Sequence, residues 1–210
     1  MKRRVRAFSH RVRWLMNQGQ VEICKKPWPH IIIKNFFPGR VANTIKEDFL
    51  YGISQPSKNY EANFGIEIQF NNRACDAFYM SRVLKQFFYY DWIDINDFCA
   101  QHIGNGDRED TNYFRAQRFI TSSTYPMEEN KIIRDWHVDA EKKIYHIMAY
   151  FGDCESGGEY ELKNDDGEEK TIPFTHNSLI IWKNTPNSWH RYRAATDHLR
   201  QTISIPLETF

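Results

Sequence analysis

The chain has 210 residues, of which 41% are hydrophobic and 15% are aromatic. A chain of this size and composition can bury a core, which excludes a largely disordered protein and favours one folded domain. The formal net charge of +1 argues against a general nucleic-acid-binding protein, because duplex-binding domains usually carry a strong basic excess.

The first 20 residues form a basic segment that differs from the rest of the chain. They contain six Lys/Arg residues and no acid, which leaves the remainder with a formal charge of −5. Apolar residues recur in this segment at helical spacing, at Val5, Phe8, Val12 and Leu15. We therefore predict an amphipathic helical arm over residues 1–20 that packs on a single domain over residues 21–210. Contact of the arm with an acidic membrane, a nucleic acid or a protein partner is the alternative.

The sequence carries no segment with the apolar run of a signal peptide or a transmembrane helix. We therefore expect a soluble, cytoplasmic protein that is not secreted. The four cysteines, Cys24, Cys75, Cys99 and Cys154, are widely spaced and form no C-x-x-C pair. This spacing is typical of reduced, structural thiols.

The first half of the chain, to about residue 110, is predicted to be mainly helical. A short β-branched strand at 30–37 precedes a helix that begins with Pro38 and Gly39 and ends at Leu50. A second long helix is predicted over 78–103, where apolar residues keep the 3.6-residue period. The segment between these helices has no clear periodicity.

From about residue 113 the apolar period changes to two, which predicts a β domain that extends to about residue 205. We expect strands at 113–121, 144–151, 158–163, 169–173, 178–183, 189–193 and 199–205. Turn-forming sequences separate them, such as "NDDG" and "NTPNS". Seven short strands without intervening helices predict an antiparallel sandwich or barrel, so the fold class is mainly β with flanking helices (α+β).

A candidate metal site lies at the start of this β domain. His137 and Asp139 are two residues apart beside the strand at 144–151, so both side chains can face one cavity. A His-x-Asp pair also occurs by chance, and a metal needs a third ligand. His190, at the start of a later strand, supplies one. Two imidazoles and one carboxylate form the facial triad that suits non-haem Fe(II), because open positions remain for substrate and oxygen.

A candidate anion site lies on the last predicted strand. Arg200 and Thr202 are two residues apart and therefore share a face of that strand. A buried guanidinium with a neighbouring hydroxyl can form charge-assisted hydrogen bonds to a carboxylate. The sequence thus predicts a dicarboxylate ligand next to the metal.

These motifs, in this order, resemble the iron- and 2-oxoglutarate-dependent dioxygenases, and most closely the prolyl 4-hydroxylase-like branch. The resemblance covers about residues 113–205 and rests on "HVD", "IMAYFGDCESGGEYEL" and "SLIIWKNTPNSWHRYRAATDHLRQTISI". It implies a double-stranded β-helix, or jelly roll, preceded by a helical region. It also implies a hydroxylase that uses Fe(II), O2 and 2-oxoglutarate, releases succinate and CO2, and is supported by ascorbate.

The resemblance assigns roles to residues of the site. It makes His137, Asp139 and His190 the iron ligands, and Arg200 and Thr202 the partners of the distal carboxylate of 2-oxoglutarate. Tyr150 stands where such enzymes often place a tyrosine against that carboxylate, with Tyr145 as the fallback if the strand register shifts by one. His146 shares the face of Tyr150 and is expected to touch the cosubstrate.

The substrate side of the site is less well defined. Candidate substrate-contacting residues are Arg73, Arg115, Gln117, Trp136 and Trp182. The two tryptophans, together with Trp189, are also expected to form the walls of a dry cavity. The substrate is expected to be a small molecule or a peptide, such as a peptidyl proline, an amino acid or a sugar, and a homodimer is left open. The alternatives are a non-catalytic jelly-roll binding module and a zinc hydrolase with the same triad.

Overall fold

The computed structural model describes residues 7–50, 63–69, 79–104, 115–153 and 156–208. The helices are α1 (Ala7–Asn17), α2 (Gly39–Leu50), α3 (Tyr79–Leu84) and α4 (Trp92–Ile103), with a π-helical segment, Lys85–Tyr89, before α4. The strands are β1 (Val21–Cys24), β2 (His30–Ile33), β3 (Asn63–Gln69), β4 (Arg115–Ala116), β5 (Arg118–Thr124), β6 (Ile132–His137), β7 (Lys143–Phe151), β8 (Tyr160–Lys163), β9 (Glu169–Ile172), β10 (Ser178–Lys183), β11 (Trp189–Arg193) and β12 (Arg200–Glu208).

The strands form two antiparallel sheets, which we call the major and the minor sheet. The major sheet has eight strands, in the order β1-β2-β10-β7-β12-β5-β3, with β4 paired to β12. The minor sheet has four strands, in the order β6-β11-β8-β9. Non-consecutive strands are neighbours in both sheets, so residues that are distant in sequence meet across the strands. The two sheets and their helices have the arrangement expected for a jelly roll with flanking helices.

Two apolar cores lie on opposite faces of the major sheet. The helix-side core contains residues of α1, α2, the π-helical segment and α4 packed on Ile147 and Ala149 of β7. The inter-sheet core contains Met148 and Tyr150 of β7 packed against strands of the minor sheet. Successive residues of one strand therefore enter different cores, as the two-residue period of a strand requires.

Helix α1 packs on the body of the protein through its apolar stripe. Phe8, Val12 and Leu15 are buried in the helix-side core. The Phe8 backbone N–H donates to the Asp91 carboxylate at 2.8 Å, and the Arg11 side chain donates to main-chain carbonyls of the segment after β2. The apolar stripe is thus used within the protein, while Val5 lies outside the described residues. None of the helices in the described part of the chain has the length and apolar composition needed to cross a bilayer.

The structure confirms the predicted fold class and corrects parts of the first half. Each of the seven strands predicted in the second half has a counterpart, the first being split into β4 and β5. Three strands were not predicted, namely β1, β3 and β6, and the first two make the first half less purely helical than expected. All three are edge strands. β1 and β6 bury few of their side chains, so neither needs an alternating apolar pattern, whereas β3 has apolar residues at a period of two, at Phe64, Ile66 and Ile68. The single helix expected over 78–103 is interrupted by the π-helical segment.

The described cysteines fit the expectation of unpaired thiols. Cys99 is buried in the helix-side core and Cys24 is half-buried on β1, and both are free. Burial raises the pKa of Cys99 well above the ordinary value of a thiol. The other two cysteines lie outside the described residues.

We predict that Phe8→Ala destabilises the whole domain, because the ring contacts Phe36, Phe88 and Phe98 at centroid distances of 5.8 to 6.2 Å. The free energy of unfolding in urea should fall by about 3 to 5 kcal/mol. Trp14→Ala is the matched control, because this ring lies on the same helix and is 49% exposed. Equal losses in the two variants would show that α1 is not part of the core.

We also predict that the folded state loses stability in mild acid through His30. Its Nδ1–H donates to the Trp28 carbonyl at 2.7 Å, and its buried Nε2 has no hydrogen-bond partner among the described residues. Burial therefore lowers the pKa of His30 from 6.5 to about 4. Below about pH 6.5, His30 takes up a proton in the unfolded chain but not in the folded protein. The free energy of unfolding therefore decreases as the pH is lowered, by up to about 3 kcal/mol at pH 4.

Urea titrations between pH 7 and pH 4 test this prediction. The decline should be shallower in His30→Phe than in the native protein, and unchanged in His10→Gln, a variant of an exposed histidine. An identical decline in His30→Phe would contradict it.

Candidate metal and cosubstrate site

Three potential metal ligands meet at one end of the minor sheet. His137 ends β6 and His190 lies directly opposite on β11, with ring centroids 4.2 Å apart. Asp139 follows β6 by two residues and turns back towards the same point. Ligand atoms of the three residues lie within 4.8 Å of one another. We call this group the triad.

Each histidine is held with one ring nitrogen facing the triad. His137 Nδ1 lies 2.7 Å from the Asp135 carbonyl, and His190 Nδ1 lies 2.9 Å from the Ser188 carbonyl. A carbonyl only accepts hydrogen bonds, so Nδ1 carries the proton and Nε2 keeps its lone pair. Burial lowers the pKa of both rings, that of His190 to about 3 with help from the neighbouring His137. Both imidazoles are therefore neutral at pH 7, the form that binds metals.

The Asp139 carboxylate is buried and ionised. Its side chain is 3% exposed, and its two oxygens accept hydrogen bonds from Lys143 Nζ at 2.8 Å and from His146 Nδ1 at 2.5 Å. Burial by itself would raise the pKa of Asp139, but the interactions with His146 and Lys143 outweigh it and hold the pKa well below its usual range. The Asn184 side chain also donates to the Asp139 main-chain carbonyl, which fixes the loop after β6.

The chemistry of this donor set fits a divalent transition metal. Two neutral imidazole nitrogens and one carboxylate oxygen are ligands that suit Fe(II) in non-haem sites. The second nitrogen of each imidazole already has a hydrogen-bond acceptor, which is the usual arrangement around a metal-bound histidine. The triad could therefore hold a metal ion without a change of tautomer.

Arg200 is buried between the two sheets, and one of its guanidinium nitrogens has no hydrogen bond from the described residues. The residue is 2% exposed, and its Nε donates to the Gly158 carbonyl at 3.1 Å. The guanidinium carbon lies 4.5 Å from the Tyr192 ring centroid and 5.4 Å from that of Tyr150. No well-formed hydrogen bond reaches Arg200 Nη2 or the Tyr150 hydroxyl within the described residues. Buried polar groups normally have partners, so these two donors indicate a place for an anionic ligand.

The turn before β8 brings a carbonyl to Arg200. Gly157 has φ +75° and pairs with Ala195, and a Cβ on Gly157 would lie 2.4 Å from the Ala194 carbonyl oxygen. Only glycine permits this conformation and this close approach. The Gly-Gly turn thus places the Gly158 carbonyl where it accepts from the Arg200 side chain.

The strand register settles which tyrosine faces Arg200. Thr202 is paired with Tyr150 across β12 and β7, so both lie beside Arg200 on the inter-sheet face. Tyr145 lies on the other face, in the helix-side core, and its hydroxyl donates to the Gly104 carbonyl at 2.9 Å. The fallback residue Tyr145 is therefore outside the site.

The tryptophans predicted to wall the cavity lie in different places. Trp182 is fully buried, with its ring centroid 4.4 Å from that of His146 and 5.3 Å from that of His190. The expectation for Trp136 is wrong, because its ring contacts the charged ends of Lys163 and Arg191, each 4.5 Å from the ring centroid. Adjacent strand residues face opposite ways, so an inward His137 sends its neighbour Trp136 to the outer face of the minor sheet. Trp189 also faces outward, and its indole donates to Asp165 at 2.8 Å.

None of the contacts given by the described residues for the remaining substrate candidates is with the triad. The Arg115 guanidinium lies over the Trp92 ring at 4.4 Å, at the start of α4. Gln117 is half-buried between β4 and β5. Arg73 lies outside the described residues.

Sequence reasoning missed the residues that hold the Asp139 carboxylate. The residue pattern does not single out Lys143, and His146, which is expected to touch the cosubstrate, contacts Asp139. One signal was present, since Lys143 is four residues after Asp139 and His146 shares the strand face of Tyr150. The turn at residues 140–142, which folds β7 back onto Asp139, was not predicted.

The fold is similar to solved structures of 2-oxoglutarate-dependent oxygenases. A prolyl hydroxylase from Trichoplax adhaerens, in complex with a hypoxia inducible factor peptide fragment, aligns with a TM-score of 0.62 and 13% identity, over 97% of this chain and 90% of that chain. A 2OG-Fe(II) oxygenase family protein from Burkholderia pseudomallei aligns with a TM-score of 0.61 and 11% identity, over 96% and 89% of the two chains.

A dioxygenase for auxin oxidation from Arabidopsis thaliana, in a complex with 2-oxoglutarate, aligns with a TM-score of 0.57 and 15% identity, over 81% of this chain and 77% of that chain. No protein-family model and no curated protein sequence matches the chain. The chain therefore has the fold of the prolyl hydroxylases and other 2OG-Fe(II) oxygenases, which confirms at the level of the fold the resemblance seen in the sequence.

Proposed function

We propose that the protein is an Fe(II)- and 2-oxoglutarate-dependent oxygenase that hydroxylates an unactivated C–H bond and releases succinate and CO2. The observation that carries the proposal is the combination of the triad with a buried, partly unpaired arginine in the same inter-sheet core. Stacked rings connect them, since Tyr160 packs on His190 at 5.4 Å and on Tyr192 at 6.5 Å, and Arg200 lies against Tyr192.

In this proposal the triad holds Fe(II) through three protein ligands. His137 and His190 offer neutral Nε2 atoms, and Asp139 offers an ionised oxygen that lies 4.0 Å from His190 Nε2. Bound Fe(II) supplies the activation of O2, with electrons from the decarboxylation of 2-oxoglutarate. The presence of Asp139, rather than a small residue that would admit halide, favours hydroxylation over halogenation.

Arg200 anchors the distal carboxylate of 2-oxoglutarate. Its Nη2, which has no hydrogen bond from the described residues, belongs to one buried face with the Tyr150 and Thr202 hydroxyls. This face suits a carboxylate that must give up its water shell. Anchoring this end orients the keto acid end towards the triad. Trp182 packs behind the histidines and helps to exclude water from the reacting atoms.

The substrate proposal stays at the level of a peptide or a small molecule. The Trichoplax protein of similar fold was solved with a peptide, and the Arabidopsis protein is described as an auxin-oxidising dioxygenase. The fold thus accommodates both kinds of substrate, and peptidyl proline, an amino acid and a sugar all remain within the proposal. Ascorbate is expected to support turnover.

We predict that the protein binds one Co(II), an oxygen-stable substitute for Fe(II), per chain. Asp139→Ala or His190→Ala should weaken binding by more than about a hundredfold, because loss of a ligand costs more than loss of an outer-shell partner. Titration followed by visible absorption measures the affinity. Asp135→Ala is the control, because this carboxylate is on the same strand but its side chain is 77% exposed. Unchanged affinity in Asp139→Ala would contradict the metal site.

We also predict slow formation of succinate from 2-oxoglutarate in air with Fe(II) and ascorbate, in the absence of a substrate. Arg200→Met should raise the dissociation constant for 2-oxoglutarate by at least about 30-fold, since it leaves the buried carboxylate unpaired. Arg191→Met, on the outer face of the minor sheet, should bind 2-oxoglutarate like the native protein.

The same assay separates the two alternatives. A non-catalytic binding module would form no succinate. A zinc hydrolase would be activated by Zn(II) without oxygen, whereas the proposed oxygenase should be inhibited by Zn(II).

A further inference from the structure

His146 is a fully buried histidine with both ring nitrogens engaged next to the triad. Its Nδ1 lies 2.5 Å from Asp139 Oδ2, and its Nε2 lies 2.6 Å from the Ser204 hydroxyl. The ring packs on Trp182 at 4.4 Å, with an angle of 31° between the planes. These contacts link strands β7, β10 and β12 of the major sheet to the loop that carries Asp139.

Elementary chemistry fixes the direction of this chain of hydrogen bonds. An ionised carboxylate only accepts, so the proton must be on His146 Nδ1. In the neutral imidazole, His146 Nε2 then has a lone pair, which accepts from the Ser204 hydroxyl. Ser204 therefore selects the tautomer of His146 that can donate to Asp139.

The carboxylate is held from two sides. Lys143 donates to Oδ1 at 2.8 Å, while His146 donates to Oδ2. Oδ2 is also the oxygen that lies 4.0 Å from His190 Nε2, on the side of the triad. With both oxygens bound, rotation of the carboxylate about its Cβ–Cγ bond would break at least one charge-assisted hydrogen bond.

Packing alone does not account for this arrangement. His30 lies on the same face of the major sheet and is also fully buried, yet its Nε2 has no partner among the described residues. A histidine can therefore be buried between the sheets without a hydrogen bond to each of its ring nitrogens from the described residues. The two partners of His146 are specific to its position beside Asp139.

We propose that His146 is a positioning residue that holds the Asp139 carboxylate in the orientation required for a metal, with Ser204 fixing the tautomer of His146. This role rests on the proposed function, because it concerns the same metal site. It adds a requirement for metal binding that lies outside the three ligands.

The test compares two substitutions of His146 in the full chain, with Co(II) as the probe. An asparagine places its Nδ2 near the position of the His146 Nδ1, so His146→Asn should keep the bond to Asp139. His146→Gln extends too far for that bond, and His146→Leu has no donor. The last two variants should bind Co(II) about 10- to 100-fold more weakly, with an altered visible spectrum, while His146→Asn should stay close to the native affinity.

Matched controls separate positioning from folding. His30→Leu removes a buried histidine from the same face of the sheet and should leave the Co(II) affinity unchanged. Ser204→Ala should weaken binding less than His146→Leu, because the donor to Asp139 remains. Thermal unfolding without metal identifies any variant that fails to fold. If His146→Leu does not fold, the comparison of His146→Asn with His146→Gln still tests the proposal.

The outcomes are distinct. Native affinity in both His146→Gln and His146→Leu, or an equal loss in His146→Asn and His146→Gln, would overturn the positioning role alone. Unchanged Co(II) binding in Asp139→Ala would overturn the metal site, and the positioning role with it. Loss in His146→Gln with recovery in His146→Asn supports the proposal.

Discussion

Strand β7 is buried on both faces, and its two-residue alternation separates the structural part of the protein from its chemical part. Ile147 and Ala149 enter the helix-side core, whereas His146, Met148 and Tyr150 enter the space between the sheets. A shift of the strand by one residue would exchange these sets. It would place polar groups against the helices and apolar groups around the triad. The apolar packing of the helices therefore fixes the register on which the site depends.

The site handles its two buried charges in different ways. Asp139 receives hydrogen bonds from Lys143 and His146, so the negative charge is compensated within the protein. Arg200 has the Gly158 carbonyl and two aromatic faces, but its Nη2 has no hydrogen bond within the described residues. A buried charge is costly unless it is paired. Among the described residues no carboxylate neutralises this buried guanidinium, and a bound carboxylate would do so.

Edge strands contribute to the site as much as central ones. His137 lies on β6, an edge strand of the minor sheet, and its ring is fixed by pairing with His190 and by the hydrogen bond to the Asp135 carbonyl. The outer face of the same strand is exposed and charged, with Trp136 covered by Lys163 and Arg191. One edge strand can therefore hold an inward-facing side chain in a fixed orientation while its outer face remains polar.

The sequence by itself determined the class of fold and identified three side chains that meet in the structure. The apolar patterns of the second half predicted the strands that form the centre of both sheets. A strand buried on one face repeats its apolar residues with a period of two, whereas a strand buried on both faces, such as β7, is a nearly continuous apolar run. His137, Asp139, His190 and Arg200 were chosen by residue type and order, and the first three meet in the structure.

Tertiary structure decided the edges and the neighbours of the site. Edge strands β1 and β6 bury few side chains and are formed by pairing with a neighbouring strand rather than by an apolar pattern of their own. The outward orientation of the Trp136 side chain depends on the position of β6 in the sheet. The contact of His146 with Asp139 depends on the turn between these two residues. These features depend on backbone geometry between residues distant in space, which a one-dimensional pattern of residue types does not contain.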